Sequence, residues 1–219
     1  MFRPHDLLWV ADRHALQTST PLPAWANAEW MARAPVVVRR ETVEGAALIP
    51  VGLRGRERSE RVGAYLEPGA VLRQASPESL AREAAWRRMP GLAHLPAAAT
   101  LERIAPTLDG SGLSWGPIGS MGFALASGLQ VLRPQSDLDI LVRCDAPFTQ
   151  EQARLLAGML DGHACRIDMQ IDTHHGGFAF SEWVRTKGRV LLKTGHGPFL
   201  TSDPWNRTGW LDTPARNAA

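Results

Sequence analysis

Short apolar runs broken by glycine, proline and charge pattern the whole chain, and none reaches the roughly 18 residues a membrane helix needs. Pro35-Val36-Val37-Val38-Arg39-Arg40 is β-branched and ends in charge, which predicts a strand. Residues 46–53 predict a second, with Glu44-Gly45 as the turn between them. Ser76-Pro77-Glu78-Ser79 predicts a helix start, with Ser76 as N-cap and Pro77 in the first helical position. That helix is expected to run through Leu80 and Trp86 to Pro90. The Ala- and Pro-rich stretch 90–106 predicts a linker or a short helix ending near Pro106.

Beyond that stretch strand and helix patterns alternate. Residues 113–118 read as a strand, and Gly119-Ser120 opens a small-residue helix through Met121, Phe123, Ala124 and Ala126, with Gly128 at its end. Residues 138–142, 166–172 and 188–193 read as further strands, and 149–160 has helical spacing. Strands separated by helices imply an α+β or α/β layer. The pattern divides the chain into a smaller, strand-containing N-terminal α+β domain, residues 1–95, and a C-terminal domain, residues 96–219.

Composition narrows the class. At 219 residues, 44% apolar and 21% charged, the chain has the make-up of a globular protein with a proper core. Met1-Phe2-Arg3-Pro4-His5-Asp6 lacks the apolar centre of a signal peptide. Cys144 and Cys165 form neither a disulfide framework nor a zinc spacing, and read as small buried residues. A cytoplasmic protein with reduced thiols and no membrane contact is expected. Only Lys187 and Lys193 of the 24 basic residues are lysines. A GC-rich genome explains such a bias; so does phosphate recognition by guanidinium forks. The net charge of +2 argues against bulk nucleic-acid binding, so any phosphate site should be local.

The sharpest chemical feature is Ser136-Asp137-Leu138-Asp139-Ile140-Leu141-Val142. Carboxylates at i and i+2 of a strand share a face, about 6.5–7 Å apart at the backbone. Two such groups repel unless a cation holds both, and Mg²⁺ suits carboxylate and phosphate oxygens. An acidic pair alone fits a solvated edge strand better than a metal site. Trp115-Gly116-Pro117-Ile118-Gly119-Ser120-Met121-Gly122 shifts the balance, because glycine admits close approach and a helix start offers free N–H groups to an anion. One part suits a triphosphate tail, the other its metal.

Gly119-Ser120, Asp137-Leu138-Asp139 and a later acid between apolar residues resemble the polymerase-beta type of nucleotidyltransferase. Ile167-Asp168-Met169 fits the later acid better than Ile171-Asp172-Thr173 does. The 16 residues between Ser120 and Asp137 make a longer spacer than that superfamily usually has. Arg3-Pro4-His5-Asp6-Leu7-Leu8-Trp9, Pro50-Val51-Gly52-Leu53-Arg54-Gly55-Arg56 and the segments above together resemble one family, from about residue 3 to about residue 200. It is the malonate decarboxylase phosphoribosyl-dephospho-CoA transferases, also called holo-acyl-carrier-protein synthases. The resemblance implies transfer of the phosphoribosyl-dephospho-CoA group from 2′-(5″-triphosphoribosyl)-3′-dephospho-CoA to a serine of the decarboxylase's acyl carrier protein, releasing pyrophosphate. It implies a two-metal, in-line displacement. Asp137 and Asp139 are then the Mg²⁺ ligands, Asp168 a further ligand or the base for the serine hydroxyl, and Gly119 and Ser120 the holders of the leaving pyrophosphate. An NTP-dependent nucleotidyltransferase with another acceptor, or a non-catalytic factor docking CoA or the carrier protein, are the other readings.

Arg54, Arg56, Arg58 and Arg61 suit a clamp on the triphosphate or the CoA phosphates, a face for an acidic carrier, or a surface self-paired with Glu57 and Glu60. Lys193, before Thr194-Gly195-His196-Gly197, suits a phosphate contact or a plain strand end. Arg133 and Arg143 flank the aspartate strand as expected counter-charges. Asp6 reads as an N-cap, His174-His175-Gly176-Gly177 as a turn, and Trp9, Trp25, Trp30, Trp86 and Trp183 as core or interface residues.

Overall fold

The computed structural model describes residues 1–43 and 47–206. The Glu44-Gly45 turn therefore lies outside the described residues. Two six-stranded sheets form among them, giving a mixed α+β fold. The first contains β1 (Leu7–Val10), β2 (Leu16–Gln17), β3 (Val36–Val38), β4 (Ile49–Arg54), β5 (Arg61–Leu66) and β6 (Val71–Ala75), in the spatial order β2-β5-β4-β3-β1-β6. Its pairings are antiparallel. Alternation along β4 buries Ile49, Val51 and Leu53. The short helix α1 (Ala28–Met31) buries Trp30, whose indole N–H donates to the Arg54 carbonyl at 2.8 Å.

Asp6 caps no helix. Its carboxylate accepts from the Arg3 backbone N–H at 2.9 Å and from Gln74 at 2.6 Å, tying the turn before β1 to β6. Helix α2 (Pro77–Arg82) starts as expected, with the Ser76 hydroxyl accepting from the Ser79 N–H at 3.1 Å. It ends early, however. Ala84 is left-handed (φ 45°), and 3-10 turns follow at Ala85–Arg88 and Pro90–Leu92. The break lets Trp86 pack on Trp115 at a ring separation of 6.3 Å and donate to Glu102.

Helix α3 (Pro96–Gly110) passes through Pro106 instead of stopping there. The ring removes one helical hydrogen bond, but Leu101, Ile104, Ala105 and Leu108 are 3% exposed or less. Burial of four apolar side chains on one face outweighs a proline penalty of about 3 kcal/mol.

The second sheet contains β7 (Ser114–Pro117), β8 (Leu138–Arg143), β9 (Ile167–Asp172), β10 (Gly177–Ala179), β11 (Val190–Thr194) and β12 (Gly197–Thr201), in the order β12-β11-β10-β9-β8-β7. Strand β11 begins two residues later than expected, because Lys187 and Gly188 take positive φ and turn the chain. Helix α4 (Gly119–Ser127) closes on left-handed Gly128, and α5 (Gln150–Gly158) opens on a Thr149–Gln152 capping box. Among the described residues only β8 and β9 pair in parallel, joined by the α5 crossover. A short α6 (Phe180–Arg185) follows β10. Among the described residues no helix is long and apolar enough to cross a membrane.

Register sorts the two faces of the parallel pair. Leu138, Ile140, Val142, Ile167, Met169 and Ile171 are buried. The opposite face carries three facing pairs in register: Asp139 with Asp168, Leu141 with Gln170, and Arg143 with Asp172. That face meets the N-terminal sheet. At its far end Arg143 and Arg40 both pair with Asp172, and Arg143 also donates to Glu78 at 2.6 Å and to the Pro4 carbonyl at 3.0 Å. Gly116 completes the seam: a Cβ there would lie 2.0 Å from the Pro77 carbonyl oxygen. Trp9, Trp30 and Trp86 are buried, and Trp25 and Trp183 pack against the core. Cys144 is buried, whereas Cys165 is only half-buried, contrary to expectation.

Candidate active site

One cleft of about 1100 Å³ runs between the two sheets. Gly119, Ser120, Asp137, Asp139, Asp168, Arg54, Arg56 and Lys193, separated by up to 139 positions in sequence, all line it.

The carboxylates come from two parallel strands. Asp139 lies on β8 directly opposite Asp168 on β9. Asp137 immediately precedes β8 rather than lying within it. Burial, then the neighbouring charges of Asp168 and Asp137, push the Asp139 carboxyl up to about 6, against the pull of Arg54 and Arg166. Gly119 makes room for this group. It is left-handed (φ 60°), and a Cβ there would sit 1.9 Å from Asp139 Oδ2. The Ile118 N–H donates to the Asp139 carbonyl at 2.9 Å, which locks the start of α4 to β8.

Arg166 was not singled out from sequence. Its guanidinium bridges Asp137 at 2.9 Å and Asp168 at 2.7 Å. Its signal was its place two residues before Asp168, on the same face. Arg133 and Arg143, the expected counter-charges, are elsewhere: Arg133 pairs with Glu57 at 2.7 Å, and Arg143 holds the seam. Among the described residues no group of three or more His, Cys, Asp or Glu side chains is gathered to hold a metal ion.

The N-terminal sheet contributes Arg54, at the end of β4 and 8% exposed. It donates to the Ser120 hydroxyl at 2.7 Å and lies 5.4 Å from the centre of the Phe123 ring. Arg54 and Ser120, treated separately in the sequence, are therefore one unit at the start of α4. Arg56 lies over Trp30 at 5.5 Å. His5 was also missed as a cleft residue. Its backbone is left-handed (φ 74°), and its imidazole shares a hydrogen bond with Gln170. Burial, with Arg40, Arg143 and Lys193 nearby, lowers it to about 4, so it is neutral at pH 7.

Residues 79–204 match the model of the phosphoribosyl-dephospho-CoA transferase MdcG C-terminal domain, and residues 3–77 match that of the N-terminal domain. The chain belongs to this family. The phosphoribosyl-dephospho-CoA transferase of Pseudomonas putida is 44% identical over 203 residues, covering 93% of this chain and 95% of its own. That of Klebsiella pneumoniae strain 342 is 40% identical, covering 94% and 97%. That of Pseudomonas syringae pv. tomato is 40% identical, covering 93% of each. No solved structure matches. The two family models meet where the first sheet ends at Ala75 and α2 begins at Pro77, so the cleft lies between the two MdcG domains.

Proposed function

We propose that this member of the MdcG family transfers the phosphoribosyl-dephospho-CoA group from 2′-(5″-triphosphoribosyl)-3′-dephospho-CoA to a serine hydroxyl of the malonate decarboxylase acyl carrier protein. The serine oxygen forms a bond to the α-phosphorus, the bond to the β-phosphate oxygen breaks, and pyrophosphate leaves. The observation that carries the reading is the meeting of Asp139 and Asp168 in register, beside a helix start whose serine is held by an arginine from the other domain. The same arrangement supports assigning the C-terminal domain to the polymerase-beta type of fold.

The donor set fits Mg²⁺. It is all hard oxygen, and Asp139 is a desolvated carboxylate crowded by two others, which a divalent cation relieves. Asp137, Asp139 and Asp168 would hold it once the exposed Arg166 guanidinium, which bridges Asp137 and Asp168, swings away. When bound, Mg²⁺ supplies charge neutralisation on the transferring phosphoryl oxygens. Asp168 is either the third ligand or the acceptor of the serine proton. Gly119, with no side chain, lets Asp139 approach the start of α4, where a helix offers its first N–H groups to anionic oxygen. Arg54 and the Ser120 hydroxyl it orients then bind the leaving pyrophosphate.

Pyrophosphate release from the donor, measured with and without apo carrier protein and Mg²⁺, tests the reading. Release that needs both supports it, and release without carrier or from ATP alone contradicts it. Mg²⁺ calorimetry on Asp168→Asn separates the two roles: a ligand's loss weakens metal binding, whereas a base's loss stops turnover with binding intact.

A further inference from the structure

The second end of the cleft lies four residues further along β9. There Gly177 of β10 pairs with Asp172 on one side and with Lys193 of β11 on the other, so the three share a face. Lys193 lines the same cleft as the aspartates. Its ammonium has no hydrogen-bond or ion-pair partner among the described residues. Gly177 puts no side chain between its neighbours, and Arg40 lies over it: a Cβ there would be 3.2 Å from Arg40 Nη2. Arg40 and Arg143 both pair with Asp172, and Arg143 also meets Glu78 and Asp6. Arg40, Arg143 and Lys193 all act on nearby His5; the two arginines are offset by Asp172, Glu78 and Asp6, so Lys193 is the uncompensated cation at this end of the cleft.

We propose that Arg40, Gly177 and Lys193 form a second anion site, which holds the diphosphate of the donor's dephospho-CoA arm while the aspartate end holds the triphosphate. This assignment rests on the transferase reading above and adds to it the subsite that recognises the donor. Spacing supports it. Four residues along a strand span about 13 Å, and two strand spacings about 10 Å, so the two ends are too far apart for one triphosphate to bridge. In the donor, two linked ribose rings separate the triphosphate from the diphosphate, a separation of the same order. The row between the ends is uncharged, with Leu141, Gln170 and Ala179 in register, and suits sugar rather than phosphate. A nucleoside triphosphate without a second phosphate group would leave the Lys193 end empty, which makes this site the discriminator between the two donor classes.

Calorimetry with two probes tests the proposal: dephospho-CoA, which has the diphosphate arm and no triphosphate, and inorganic tripolyphosphate. Lys193→Ala is expected to weaken dephospho-CoA binding about tenfold, the loss of one charge-assisted phosphate contact. It should raise KM for the full donor by a similar factor with kcat little changed, and leave tripolyphosphate affinity within about twofold. Lys193→Arg should restore binding. Unaltered dephospho-CoA binding by Lys193→Ala, or equal losses on both probes, would overturn the subsite while leaving the transferase reading intact. A wild-type protein that binds neither dephospho-CoA nor the donor, yet binds ATP, would overturn both.

Discussion

Gly119 and Asp139 are packed so closely that a methyl group on the glycine would lie 1.9 Å from the aspartate's Oδ2. The glycine is left-handed as well, so any side chain there is strained twice. Gly119→Ala must therefore displace either Asp139 or the start of α4. The expected outcome is a loss of turnover on the order of 10²-fold, the effect of misplacing a reacting group by about 1 Å. Steady-state kinetics beside a thermal melt check it, because the variant should lose far more activity than a modest fall in Tm explains.

Asp139→Asn should separate stability from activity. The folded carboxyl titrates near 6, above its usual 3.8. The folded state then binds the proton more tightly, so this group's contribution favours folding as pH falls from about 6 toward 4 and opposes it at neutral pH. Removing the charge should stabilise the metal-free protein at pH 7.5 by about 1–3 kcal/mol while abolishing transfer. Mg²⁺ should raise the wild-type Tm and leave that of the variant unchanged. Calorimetric melts with EDTA and with Mg²⁺ read both effects.

Much of this site is legible in the sequence, and the reason is locality. Gly-Ser before a helix, an acid pair on a strand start and a third acid between apolar residues are short patterns, each set by its own neighbours. Ser76 and Gly128 cap their helices for the same reason. What escaped depends on contacts between distant segments. Arg143, Arg40, Asp172 and Glu78 meet only because β8 and β9 present one face to the N-terminal sheet. Ala84 breaks its helix to place Trp86 on Trp115, and α3 continues through Pro106 because its buried face outweighs one lost hydrogen bond. Asp172, the weaker candidate for the third carboxylate, belongs to the seam.

That seam makes Arg143 a stability residue. Its side chain is 9% exposed and that of Asp172 8%. Arg143→Met would leave buried carboxylates with one cation fewer, at a cost of about 3–5 kcal/mol. A fall in Tm on the order of 10 °C is expected for a chain of this size. Equal stability of variant and wild type in denaturant would contradict the role.

His5 gives the protein an acid-sensitive component. Its imidazole stays neutral in the folded state down to about 4, whereas the unfolded chain takes up the proton near 6.5. The unfolded state binds more protons between those values, so stability is lost as pH falls from 6.5 toward 4. Asp139 acts in the opposite sense over part of that window, so the comparison must be with a variant. His5→Asn tolerates the left-handed backbone and does not titrate. Denaturant unfolding should show the wild type losing about 2 kcal/mol more than His5→Asn between pH 7.5 and pH 5.

The group transferred and its acceptor define this enzyme. Intact-mass spectrometry of the apo acyl carrier subunit, incubated with this protein, the triphosphoribosyl donor and Mg²⁺, tests both at once. The expected result is a mass gain equal to one phosphoribosyl-dephospho-CoA group on a serine, absent with EDTA and with Asp139→Asn. An unmodified carrier in the complete reaction, or a nucleotide added from ATP in its place, would contradict it.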